Sequence, residues 1–345
     1  MKFLTASLLP AGQRTLGGTL VKWLIFMGGI GLGLSTLALP LQAAQPALPY
    51  PSKPIHLVVP FPAGGSADLV ARILAKPLAE RLGQAVVVDN RPGADGAIAA
   101  EAVAAAAPDG YTLFMATYGA MSAVPSLHTT VRYDPIKDFA PISTMGKFSM
   151  FLFAHPSLPV QTVPELIAYE HAHAGQVNYG TGNVASIVMA AEMDTQTQTH
   201  TTQIPYKGEV PAMTDFVAGR IQLMFATPVN ALPFVKEGKL KAMAAMSDKR
   251  SALLPDTPTW GECGMRELSI VPWAGVFGPA HMPAGITQTL SAAINHILQS
   301  KDVALEFTKL GFEPSGSSPE KLAEYAQTQL KAWHAAIHTA GLTPE

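Results

Sequence analysis

Three short stretches of the chain combine glycine, small polar residues and a helix start, a pattern suited to holding an anion. The first is Pro60-Phe61-Pro62-Ala63-Gly64-Gly65-Ser66-Ala67-Asp68, which joins an apolar run to a helical pattern. Gly64 and Gly65 carry no side chain, so a ligand can approach their backbone closely. Ser66 is a candidate N-cap and Asp68 falls in the first turn. The free N–H groups and positive end of such a helix favour a negative group. The second stretch, Asn178-Tyr179-Gly180-Thr181-Gly182-Asn183, follows the same logic. Gly180, Gly182 and Ala185 also fit the Gly-x-Gly-x-x-Ala dinucleotide pattern, but that pattern needs an acid at the end of the next strand. The next strand ends Ile204-Pro205-Tyr206-Lys207, without one. In the third stretch, Tyr206-Lys207-Gly208, the tyrosine can close over a ligand and the lysine can steer an anion. Thr117-Tyr118-Gly119 and Thr227-Pro228 stand at equivalent strand ends, where open α/β sheets bind ligands. The bland alternative is common to all of them: tight turns before capped helices, and a surface lysine beside a packed tyrosine.

Catalytic and metal-binding patterns are poorly represented. The chain has no Gly-x-Ser-x-Gly, His-Glu-x-x-His or Cys-x-x-Cys. His171 and His173 are two apart on a predicted helix and do not share a face, so no metal site is expected. The single cysteine, Cys263, excludes an internal disulfide and reads as structural or incidental. No run of Lys or Arg marks a nucleic-acid face. No cofactor is called for.

The elements that must carry these loops alternate along the chain. Ile55–Val59 reads as a buried strand, residues 67–82 as a helix that Pro77 should kink or split, and 85–88 as a strand. A Gly-rich loop at 92–96 leads to an Ala-rich helix over 97–107 and a strand over 111–117. This βαβαβ order predicts a parallel sheet covered by helices on both faces. A second set follows: strands 150–154, 177–180, 202–206, 221–226 and 240–246, with helices starting near Pro164, Val184, 210 and 229. A strand over 270–277 and helices over 284–299, 301–309 and 319–339 complete the chain. Ser318 caps the last helix and Pro319 opens it. The fold class is therefore α/β with two lobes, each a sheet flanked by helices. The expected division is residues 45–145 with 273–345 for the first lobe and 146–272 for the second.

The first 44 residues differ from the rest. Lys2, Arg14 and Lys22 are followed by a mostly apolar run from Trp23 to Leu39 and by Ala43-Ala44, the order of a cleaved secretory signal. Without these three cations, 20 basic residues face 25 acidic ones, a net of −5 with histidine neutral. A soluble periplasmic monomer is expected.

Five ordered motifs give the chain a specific resemblance. They are Tyr50-Pro51-Ser52-Lys53-Pro54-Ile55 through Ser66; Asp89-Asn90-Arg91-Pro92-Gly93-Ala94; Ala107-Pro108-Asp109-Gly110-Tyr111; Val131-Arg132-Tyr133-Asp134-Pro135; and Pro205-Tyr206-Lys207-Gly208. In order and spacing they resemble the Bug (TctC) family, periplasmic solute receptors of tripartite tricarboxylate transporters. The resemblance implies a type II-like periplasmic-binding-protein fold that closes on its ligand like a Venus flytrap. It also implies membrane transporter subunits as partners. By the same resemblance Gly64, Gly65, Ser66 and Asp68 form the first-lobe loop, with Tyr118, Gly119 and Ala120 beside it. Thr181, Gly182 and Asn183 form the second-lobe loop, with Tyr206, Lys207, Gly208 and Thr227 around the pocket. Relatives often carry an acid or amide where Thr227 stands and a small residue where Glu209 stands.

The expected ligand is a small organic acid of low total charge. Two helix starts aimed at one cleft favour a carboxylate. With Lys207 the single cation near these loops and Glu209 next to it, a tricarboxylate would leave charge unmatched in a partly dry site, and a monocarboxylate or an acid with an apolar far end fits better. Two rival readings remain: a secreted α/β hydrolase using Ser66 with a distant histidine such as His281, and a receptor that serves a sensor instead of a transporter.

Overall fold

The computed structural model describes residues 50–342 apart from 267 and 269. The proposed signal over residues 1–44 lies outside the described residues. Two sheets organise the chain. The first has the order β11-β4-β10-β3-β1-β2, with β1 Ile55–Val59, β2 Val86–Asn90, β3 Thr112–Thr117, β4 Phe139–Phe148, β10 Trp273–Pro279 and β11 Phe312–Pro314. The second has the order β7-β6-β8-β5-β9, with β5 Phe151–Ala154, β6 Asn178–Thr181, β7 Thr202–Pro205, β8 Leu223–Ala226 and β9 Lys241–Ala245.

In each sheet a parallel trio is extended by antiparallel strands. β1 pairs in parallel with β2 and β3, and β6 does so with β7 and β8. The antiparallel additions are β10, β4 and β11 in the first sheet and β5 and β9 in the second. The chain passes between the sheets at residues 149–150 and again before β10. There Phe148 N–H donates to the Pro272 carbonyl at 2.9 Å and Met246 N–H to that of Met150 at 2.8 Å.

Helices cover the faces as the apolar spacing requires. α1 (Ser66–Leu82) buries Val70, Leu74 and Leu78 against Ile55, Leu57 and Val59 of β1, together with Leu290 and Ile294 of α8 (Ala284–Leu298). It runs through Pro77 as one helix and is not split. The missing N–H costs a hydrogen bond, and the buried stripe on both sides of Pro77 holds the element together. α10 (Pro319–Thr339) opens with the Ser318 side chain accepting from the Lys321 N–H. Its Trp333 is fully buried and stacks on Tyr118 with ring centroids 4.9 Å apart. One continuous cluster runs from Val58 and Phe114 of the first sheet through Trp333 to Leu152 and Leu223 of the second.

The Thr- and Gln-rich stretch from Thr195 to Thr202 has a structural account. It ends α5 (Val184–Thr197) and leads into β7. Thr199 and Thr201 donate their hydroxyls to the Asp194 carboxylate at 3.0 and 2.9 Å, which fixes the turn. Behind it, in the last turn of α4 (Val163–Ala172), Glu170 is 2% exposed and neither carboxyl oxygen has a well-formed hydrogen bond among the described residues. Burial pushes its carboxyl up to about 7; the Thr199 hydroxyl opposes the shift and Asp194 adds to it. A raised folded pKa means that the native state holds the extra proton between the ordinary value of 4.5 and about 7, so this group's contribution falls as pH rises across that window. Glu170→Gln is therefore expected to be more stable than the parent by ~3 kcal/mol at about pH 8 and close to parity at about pH 4, measured by urea unfolding. A pH-independent difference would contradict this account.

Candidate functional site

The loops at the ends of β1, β3, β6, β7 and β8 surround a small cavity of about 50 Å³ between the sheets. From the first lobe, Phe61, Pro62, Gly65, Ser66 and Ala67 line it, with Thr117 and Tyr118. From the second come Gly182, Asn183, Glu209, Val210 and Thr227. Phe148, Met150 and Pro272 close it where the chain crosses between lobes. Glu209 is the one ionisable acid or base of the lining apart from the Tyr118 phenol, and no Lys, Arg or His is among these residues.

The first-lobe loop is held by a carboxylate. Asp68 accepts from the Gly64 N–H at 2.9 Å, from Asn90 Nδ2 at 3.0 Å and from Arg72 at 2.9 Å. Burial alone would push this carboxyl up, but the bonds from Arg72, Gly64 and Asn90 outweigh it and hold its pKa below the ordinary value. Gly64 needs its left-handed conformation (φ 82°) to turn its N–H toward Asp68. The helix begins with Gly65 at the N-cap position, and Ser66 is already helical, so Ser66 does not cap it. Among the described residues the N–H groups of Ser66 and Ala67 have no acceptor. Both residues line the cavity, and α1 directs the positive end of its dipole there.

The second-lobe helix start expected to match it is occupied in part by the protein's own groups. In α5 the Ser186 N–H bonds to Asn183 Oδ1 at 3.0 Å. The Val184 N–H faces the Asp95 carboxylate, and the Ala185 N–H faces the Tyr118 hydroxyl. Burial raises the pKa of both groups; in Asp95 the charge of His128 and the Val184 N–H oppose the shift, and in Tyr118 the Asp95 and Glu209 carboxylates add to it. In the second lobe the N–H groups of Glu209 and Val210, which line the cavity at the start of α6 (Glu209–Val217), also have no acceptor among the described residues.

The lobes meet through side chains. Ser66 Oγ lies 2.5 Å from Thr227 Oγ1, the cap residue of α7 (Pro228–Lys236). Glu209 Oε1 accepts the Thr227 hydroxyl at 2.5 Å, the Thr227 N–H at 3.2 Å and Asn230 Nδ2 at 3.2 Å. Burial pushes the Glu209 carboxyl up, and these bonds from Thr227 and Asn230 pull it back only in part. Because Thr227 gives its proton to Glu209, Ser66 is the donor in the Ser66–Thr227 bond. Thr227, not a histidine, is the partner of Ser66.

Of the candidate residues, Gly65, Ser66, Tyr118, Gly182, Asn183 and Thr227 line the cavity. Gly64 and Asp68 shape the loop behind it. Gly119 and Ala120 lie in a wide helical turn, Gly119–Ala123, with Ala120 accepting the Tyr133 hydroxyl at 2.6 Å. Thr181 Oγ1 accepts from Gln203 at 3.2 Å, outside the lining. Tyr206 does not close over the cavity, because its hydroxyl donates to Asp215 at 2.9 Å on α6. Lys207 is exposed and stands apart from the lining. Gly208 precedes α6, where a side chain would press on Pro62 at 3.3 Å.

Thr117, placed at a ligand-binding strand end by the sequence but not among the residues expected to hold the ligand, is a lining residue. It is 1% exposed and its hydroxyl has no partner among the described residues, although it lines the cavity. Its position at a strand end was the available signal. Gly182 is packed without slack: a Cβ there would lie 2.5 Å from both Cα and N of Glu209. Gly182→Ala is therefore expected to displace the start of α6 and lower stability by about 1–3 kcal/mol in urea unfolding. A variant as stable as the parent would show that this start moves freely.

Known proteins share both sequence and architecture with this chain. The sequence pattern of the tripartite tricarboxylate transporter family receptor, TctC, matches residues 70–342. Protein BugT of Bordetella pertussis is 33% identical over 316 residues, covering 91% of this chain and 96% of BugT. Among solved structures, Rpa4515 of R. palustris with adipate superposes with a TM-score of 0.83 at 31% identity, covering 86% of this chain and all of that one. MatC (Rpa3494) from Rhodopseudomonas palustris with bound malate gives a TM-score of 0.78 at 31% identity, covering 84% and 100%. The two-sheet architecture, the strand-end loops around one cleft and a match that spans most of the described residues agree, and the chain belongs to the TctC family of tripartite tricarboxylate transporter receptors.

Proposed function

We propose that this protein is an extracytoplasmic binding protein that captures a small organic acid of low charge and presents it to the membrane subunits of a tripartite transporter. The observation that carries the ligand class is a set of unsatisfied donors on residues that line one cavity: the N–H groups of Ser66 and Ala67 at the start of α1, and the buried Thr117 hydroxyl. A carboxylate accepts several hydrogen bonds at once, and a helix start favours its charge. Relatives solved with adipate and malate support the same class. The basic–apolar–small start of the chain supports export to the periplasm, and no helix among the described residues is long and apolar enough to cross a membrane.

Low charge follows from the lining. With no cation and with Glu209 present, a tricarboxylate would carry uncompensated charge into the cleft. The aromatic and aliphatic walls from Phe61, Phe148, Met150 and Val210 suit a short hydrocarbon chain. A cavity of about 50 Å³ holds little more than a carboxylate group, so the lobes must part to admit a ligand and re-close around it.

Thermal shift against a panel of carboxylates tests this reading. A ligand at about 100 times its Kd is expected to stabilise by about 2.7 kcal/mol, with mono- and dicarboxylates ahead of citrate. A panel in which no carboxylate shifts the transition would defeat the proposal. Thr117→Val separates binding from folding. Removing an unpartnered buried hydroxyl is expected to leave the ligand-free protein as stable or up to about 1 kcal/mol more so, while carboxylate affinity falls about tenfold by calorimetry. Equal affinity in the variant would remove Thr117 from the site.

A further inference from the structure

Glu209 bonds with one oxygen only. Its three hydrogen bonds, from the Thr227 hydroxyl, the Thr227 N–H and Asn230, all converge on Oε1. Oε2 makes none among the described residues, and Glu209 lines the cavity. Three donors on one oxygen favour the carboxylate form, since a carboxylate is acceptor-only, and so oppose, without cancelling, the rise that burial gives its pKa. The cleft therefore presents two unlike ends: free N–H donors alone at the start of α1, and at the start of α6 a free side-chain acceptor, Glu209 Oε2, beside the N–H groups of Glu209 and Val210. No cation in the lining separates them.

We infer that Glu209 selects the ligand's second functional group, so that the protein prefers acids carrying a hydroxyl or ammonium donor over simple dicarboxylates. This rests on the carboxylate-receptor reading and sharpens it. One ligand carboxylate accepts from Ser66 N–H and Ala67 N–H, and the donor at the other end meets Oε2. A second carboxylate placed there would oppose the Glu209 charge and leave acceptors facing each other. The Asp95 carboxylate adds to the same negative field, since it and Glu209 both act on the Tyr118 hydroxyl. A purely apolar far end would leave Oε2 without a partner once closure removed water. The preference expected from sequence for an apolar far end is thus revised by where Oε2 lies.

The test uses two matched series: propionate, lactate, alanine and malonate; then butyrate, 4-hydroxybutyrate, 4-aminobutyrate and succinate. Calorimetry is run on the full mature protein, on Glu209→Gln and on Glu209→Ala. Gln keeps an oxygen for Thr227 and Asn230 while turning the cavity-facing atom into a donor. In the wild type, a hydroxy or amino acid is expected to bind at least about tenfold more tightly than the diacid and the plain acid of its series. Glu209→Gln is expected to reverse the order in favour of the diacid, and Glu209→Ala to bring the donor-bearing acids down to the plain acid. If either variant fails to fold, the wild-type order still decides. A wild type that binds a diacid as tightly as its donor-bearing partners overturns the inference, as does an order that Glu209→Gln leaves unchanged; in both cases the receptor reading stands. If none of the eight acids binds wild type or variants, the carboxylate reading falls, and this inference with it.

Discussion

The contact between Ser66 and Thr227 joins two residues 161 positions apart and lies at the junction of the lobes. Its direction is not free. Glu209 takes the Thr227 hydroxyl proton, so Thr227 has only lone pairs left for Ser66. A chain of donors therefore runs from the first helix of one lobe, through the cap of α7, to a carboxylate at the start of α6. Each member fixes the next. Ser66 is placed by the turn that Asp68 anchors, and Glu209 is placed by Gly208 and by the bare Cα of Gly182. The small cavity is what this chain of contacts leaves between the lobes.

The helix starts around the cleft look alike in sequence and are spent differently. α5 has its Ser186 N–H answered by Asn183, and the Asp95 carboxylate and Tyr118 hydroxyl of the other lobe lie toward its Val184 and Ala185 N–H groups. α1 has given the Gly64 N–H to Asp68 but keeps those of Ser66 and Ala67. Since all helix starts carry similar partial charge, a start without an internal counter-charge is where an external anion would be stabilised. The starts of α1 and α6 both bring such N–H groups to the cavity lining.

Much of the framework was legible because it depends on local pattern. The apolar run Ile55–Val59, the capped start at Ser318-Pro319 and the second set of strands and helices fall within a few residues of their expected bounds. β4, Phe139–Phe148, was not anticipated as a strand: Pro141 and Gly146 interrupt its pattern, and both its neighbours, β10 and β11, lie far along the chain. The site divides the same way. That strand-end loops surround the cleft follows from topology. Which of their side chains face it does not. Tyr206 turns to Asp215, Thr181 to Gln203, and Lys207 to solvent, and each choice is made by a partner with no signature in the motif itself. Asp95 sits in the Gly-rich loop 92–96, and nothing in that loop signals that its carboxylate lies toward the Val184 N–H of the other lobe.

The same hydrogen-bond directions limit how the first lobe can hold an anion. With its proton committed to Thr227, the Ser66 hydroxyl offers only lone pairs to the cavity, and lone pairs repel a carboxylate. The residue that most resembles a ligand-binding serine therefore contributes through its backbone N–H while its side chain bridges the lobes. An anion that took the hydroxyl proton for itself would break the bridge, exchanging one hydrogen bond for another at little net gain. Backbone donors carry no such conflict, because α1 fixes their direction whether or not the cleft is closed. In the proposed receptor, anion binding at α1 and the Ser66–Thr227 contact between the lobes would thus use different atoms of one residue, so that a ligand could bind without releasing that contact.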